Sequence, residues 1–123
     1  MARELAPSTL ERLERRLEDE RARLTGILEE IDRQRERARL AESASEHNPD
    51  PDNVDGGALA LEKEMDVSVE QNAKQLLEKV LHAQDRMEKG LYGICEVTGD
   101  PIPVARLEAL PYATATVEAA SRR

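Results

Sequence analysis

Apolar residues recur every seven positions through the first third of the chain, at Leu10, Leu17, Leu24, Ile31 and Ala38, with Leu13, Ile27 and Ala41 in the alternate seam positions. This spacing sets the side chains on one stripe of an α-helix, and a stripe of that kind is stable only when another helix covers it. Glu20 and Gln34 interrupt the alternate positions, and Gly26 is the only glycine or proline between positions 8 and 45. Ser8-Thr9-Leu10-Glu11 has the form of a capping box, in which hydroxyl and carboxylate satisfy each other's backbone amides. The pattern predicts one helix over about 8–45, ~57 Å long at ~1.5 Å per residue. Its remaining faces alternate Arg with Glu and Asp, as solvent-facing sides of a coiled coil do.

Composition agrees with a seam rather than a broad core. Aromatic residues are 2% of the 123, with no Trp or Phe and only Tyr92 and Tyr112, while 36% are charged. Aromatics bring the largest buried areas, so a wide globular interior is hard to build from this chain. The single cysteine, Cys95, excludes an internal disulfide and suits a reducing, cytoplasmic compartment. No apolar run approaches the ~18–20 residues of a membrane span. Met1-Ala2-Arg3-Glu4-Leu5 shows no apolar signal-peptide core.

A second stripe follows a break. Residues 46–57 hold Pro49, Pro51, Gly56 and Gly57 and read as a connection. Then Met65, Val69, Ala73, Leu76, Val80, Ala83, Met87 and Leu91 step by three or four, which is one helix face. The prediction is a helix over about 58–89, with a weaker start before Ser68 and a stop at Gly90. Two stripes of similar length, joined by a short connection, pack on each other as an antiparallel coiled-coil hairpin over 1–89 in a monomer. An intermolecular coiled coil is the alternative that the seams alone leave open.

Residues 90–123 change character and should form a small knob. Residues 91–96 and 101–104 read as two short strands around Thr98-Gly99-Asp100-Pro101, followed by a helical turn before Pro111 and a short terminal helix. Leu91, Ile94, Ile102, Val104, Leu107 and Leu110 are its expected core, and Cys95 reads as a small buried hydrophobe. The fold class is mainly α: a helical hairpin with a C-terminal knob.

Charge is concentrated. Of the net charge of -8, residues 46–66 carry -6: Glu46, Asp50, Asp52, Asp55, Glu62, Glu64 and Asp66 against Lys63 alone. Such a segment repels phosphate backbones, so direct DNA binding is not expected. The plain reading is a solvated acidic loop; the functional one is a set of carboxylates presented to a cation or a basic partner. No nucleophile–base pair, phosphate-binding loop or metal-binding helix motif occurs, and His47 and His82 have no partner that spacing nominates, so the chain is not expected to be an enzyme.

The run from Gly90 through Tyr92, Gly93, Cys95, Ile102, Arg106-Leu107-Glu108-Ala109 and Pro111 to Ala113 resembles the C-terminal zinc-finger module of the DksA/TraR family. The helices and acidic connection also fit that family's layout. The resemblance implies a bacterial transcription regulator that binds RNA polymerase and inserts its coiled coil into the secondary channel. A non-transcriptional coiled-coil adaptor is the alternative. The pattern departs at the metal: Cys95 keeps the first ligand position, whereas the other three fall on Thr98, Thr116 and Ala119. Structural zinc takes four ligands, usually thiolate or imidazole, so a finger-like knob without zinc is expected, with no cofactor. At the tip, Asp52-Asn53-Val54-Asp55 matches the first half of the family's Asp-x-x-Asp-x-Ala motif. The resemblance thus makes Asp50, Asp52 and Asp55 the candidate effect residues and Arg106 a possible partner contact, with a structural pairing of Arg106 to Glu108 or a backbone carbonyl as the alternative.

Overall fold

The computed structural model describes residues 5–44 and 56–121. Two long helices dominate: α1, Pro7–Ala44, and α2, Gly56–Glu88. At ~1.5 Å per residue they span about 57 and 50 Å. They run antiparallel. Arg21 of α1 bonds Gln84 of α2, and moving up α1 to Arg35 moves the partner back along α2 to Glu70.

Helix α1 begins one residue before the expected capping box. Pro7 takes the first helical position, where its missing N–H costs nothing, and the Leu10 amide donates to the Ala6 carbonyl at 2.9 Å. Ser8 is therefore inside the helix and does not cap it. Gly56 and Gly57, expected in the connection, are the first two residues of α2.

The seam is tight at the end nearest the C-terminal residues. Leu13, Leu17, Leu24 and Ile31 of α1 are buried, as are Ala73, Val80 and Ala83 of α2, with Leu10, Ile27, Leu76 and Met87 partly buried beside them. Towards the other end the covering is lost. Ala38 and Ala41 are exposed, and Met65 and Val69 are 60% and 50% exposed.

Helix α2 stops in a Schellman motif. The Gly90 amide donates to Met87 O and the Leu91 amide to Arg86 O, with Gly90 at φ +73°, a conformation that glycine adopts without a Cβ penalty. The knob then folds back. The two segments expected as strands meet at a single antiparallel bridge, Ile94 to Pro101, not in a ladder. Pro101 and Pro103 have no N–H to give a ladder. Gly93 and Gly99 at φ +87° and +78° curl the chain between them instead. The short helices α3, Val104–Ala109, and α4, Val117–Ser121, complete it.

The knob core holds Ile94, Ile102 and Leu107 as expected, but Leu91 is exposed and Val104 only half-buried. Their places are taken by Tyr92, Cys95, Ala113, Ala115 and Ala119, which join the hairpin's buried leucines in one continuous cluster. Among the described residues no helix is long and apolar enough to cross a membrane.

Candidate functional site

Two side chains from each long helix fasten the knob. From α1, the Arg12 guanidinium pairs with the Glu108 carboxylate, and Arg16 donates to the Glu108 carbonyl. From α2, Arg86 donates to the carbonyls of Ile94 at 2.9 Å and Leu91 at 3.4 Å. His82 Nε2 meets Glu96 Oε2 at 2.5 Å. The partner of His82 was not legible from spacing, because Glu96 reaches it only after the chain turns at Gly90. A cleft of about 560 Å³ lies beside this contact, between α2 and the knob, with Lys79, Arg106 and Tyr112 among its walls.

Arg106 sits half-buried on α3 and donates through Nε to the Ala115 carbonyl at 2.9 Å. It ties α3 to the segment leading into α4. Asp50, Asp52, Asp55 and His47 lie outside the described residues.

The four positions of the metal motif do come together in the knob. The loop after the bridge is closed by Cys95 N donating to Asp100 O at 2.7 Å and Gly99 N donating to Cys95 O at 2.9 Å. Thr116 approaches from the other side. Its amide donates to Cys95 Sγ at 3.4 Å, its hydroxyl lies 3.9 Å from the same sulfur, and the hydroxyl accepts from the Ala119 amide at 3.3 Å. Burial pushes the Cys95 thiol up, but the Thr98 hydroxyl and the amides of Thr116, Thr98 and Val97 outweigh it and bring it down to about 6. Cys95 is thus buried as its small size suggests and is also the acceptor at the centre of a polar cluster.

This donor set does not fit a tetrahedral zinc centre. One sulfur, two neutral hydroxyls and an alanine offer one good ligand of the four such a site takes. His82 is turned to Glu96. Among the described residues there is no group of three or more His, Cys, Asp or Glu able to hold a metal.

Comparison with known proteins agrees with this layout. Residues 90–123 match the prokaryotic dksA/traR C4-type zinc finger. The chain is 35% identical over 109 residues to the RNA polymerase-binding transcription factor DksA of Caulobacter vibrioides, covering 89% of this chain and 76% of that protein. It is 47% identical over 66 residues to General stress protein 16O of Bacillus subtilis, but spans only 40% of that relative. Among solved structures, transcription factor DksA2 from Pseudomonas aeruginosa superposes with a TM-score of 0.63 at 27% identity, over 93% of this chain and 78% of that one. The RNA polymerase binding protein Dks from Chlamydia trachomatis superposes at 0.57 with 24% identity, over 97% and 91%, and shares the fold. The relatives named as DksA are transcription factors, not enzymes. A long antiparallel hairpin, a knob packed on its base, a motif that persists with Thr98, Thr116 and Ala119 at three of its four ligand positions, and the 109-residue match make this chain a member of the DksA/TraR family.

Proposed function

We propose that this protein binds RNA polymerase in the bacterial cytoplasm and adjusts transcription initiation by placing the tip of its hairpin in the secondary channel. The observation that carries the reading is the 109-residue match to a polymerase-binding factor, which runs through hairpin and knob alike. The geometry supports it. A helical hairpin about 50 Å long is a probe that reaches into a channel, and the knob buttresses its base through both helices. The excess of acid lies in residues 46–66, the stretch of sequence that follows α1 and leads into α2. In this reading Asp50, Asp52 and Asp55 act on a cation or a basic loop rather than on DNA, whose phosphates the negative charge repels. In this reading the protein acts as a monomer, and the knob, residues 90–123, is zinc-free.

The test uses purified core RNA polymerase and the full chain. Stable co-elution is expected, and it is expected to fall when a protein known to occupy the same channel is added in competition. A chain that stays separate from polymerase at micromolar concentrations of both would leave the coiled-coil adaptor as the better reading.

A further inference from the structure

We infer that a hydrogen-bonded cluster centred on the Cys95 sulfur takes over the structural role of the metal in this knob, joining the two halves of the motif through Thr116. The inference rests on the zinc-free reading proposed above.

A tetrahedral ion would staple two short segments that lie far apart in sequence. Here the same two segments are joined without one. Cys95 and Thr116 are 21 positions apart, and the sulfur accepts from both the amide and the hydroxyl of Thr116. The hydroxyl in turn accepts from the Ala119 amide, in the first turn of α4. A hydroxyl can donate and accept at once, so one continuous run of bonds goes from the Ala119 amide through the Thr116 hydroxyl to the Cys95 sulfur. At the remaining position the Thr98 hydroxyl accepts from the Asp100 amide at 3.3 Å, inside the loop that Cys95 closes through its amide on Asp100 O. Each of the four motif positions therefore has a part. One supplies an acceptor, two supply hydroxyls, and Ala119 needs no functional side chain because its backbone makes the bond.

Burial is what gives these bonds their structural weight. Cys95 and Ala119 are each 2% exposed and Thr116 is 9% exposed. An amide aimed into such a site and left without an acceptor forfeits its solvation. A parallel tie, from the Glu96 amide to Thr114 O at 2.8 Å, holds the same two segments in register.

The experiment separates an acceptor from a packing residue. Thermal melting of the full chain would be compared for Cys95→Ser, Cys95→Ala, Thr116→Val and Thr116→Ser, with metal content measured on each. Serine keeps an acceptor and alanine does not, so Cys95→Ser is expected to melt above Cys95→Ala. Thr116→Ser is expected to recover most of what Thr116→Val loses. Amide hydrogen exchange at Thr116 should speed up by roughly tenfold or more in Cys95→Ala and much less in Cys95→Ser. An alanine variant as stable as the serine one, with the Thr116 amide still protected, would show that Cys95 only fills space. If neither Cys95 variant folds, the Thr116 pair decides, since equal melting of valine and serine there overturns the cluster. The zinc-free reading fails separately, if about one zinc per chain copurifies and a chelator lowers the melting point of the unmutated protein.

Discussion

Tyr92 buries a hydroxyl beside the hairpin base, and its one hydrogen bond goes to the Pro111 carbonyl at 2.7 Å. Burial pushes its phenol up to about 12, against a smaller opposing pull from Arg16. Because the folded value lies above the ordinary value of 10, the stability linked to Tyr92 is fully present below pH 10. It is lost as pH rises through about 12. Tyr92→Phe leaves the Pro111 carbonyl without its donor and is expected to cost about 1–3 kcal/mol at neutral pH. In chemical denaturation the variant should lose less stability than the parent between pH 10 and 12. Equal losses would show that the phenol is not the group titrating there. Side chains of this kind were partly legible beforehand. Ile94, Ile102 and Leu107 announce themselves as core by being large and apolar. Tyr92 and the alanines at 113, 115 and 119 do not, because their burial depends on how the loop folds over them. Thr98 and Thr116 read as ligands lost, since a hydroxyl shows its partners only once the chain has brought them near.

Heptad spacing names the face of a helix but not how deeply that face is covered. Leu13, Leu17 and Leu24 are almost fully buried, whereas Ala38 and Ala41 on the same stripe are exposed. Small alanines on α1 bring little area to cover there. Polar ties accompany the change. Arg35 pairs with Glu70 across the helices, and Arg33 with Glu30 and Arg39 with Glu36 along α1. The Arg33 and Arg39 hydrogen bonds hold Glu30 and Glu36 below their ordinary range, and the Lys74 bond, followed by Arg35, does the same for Glu70. These groups favour the fold above pH 4.5 and lose that contribution as the pH falls through their lowered folded values. Gly26 gives a cleaner element-level test. It lies within α1, is exposed, and a Cβ built there meets nothing within 4 Å. Gly26→Ala removes backbone freedom from the unfolded chain without a clash, so it is expected to stabilise by about 0.5–1 kcal/mol. A lower melting point in the variant would mean that α1 needs its weak point there for packing.

Over the whole molecule, the two ends of the hairpin are built differently. At one end the knob is sealed to both helices by a continuous apolar cluster, by Arg12 and Arg16 on Glu108, and by His82 and Arg86 on the 91–96 segment. The other end joins Ala44 to Gly56 through a segment whose charges are mostly acidic and whose composition offers no apolar seam. Stability is thus concentrated where the motif match lies, and charge where the proposed action lies. The two can be separated by replacing Asp52 and Asp55 together with Asn. That change removes two negative charges from a self-repelling run, and changes away from packed or paired groups usually shift stability by no more than ~0.5 kcal/mol. The double variant is expected to melt with the parent and to bind polymerase with similar affinity through the knob and hairpin base. It should lose most of its effect on initiation in a purified transcription assay. Should it bind and regulate as the parent does, the acidic run is only a solvated turn, and the effect on initiation must come from the bulk of the hairpin filling the channel rather than from its carboxylates.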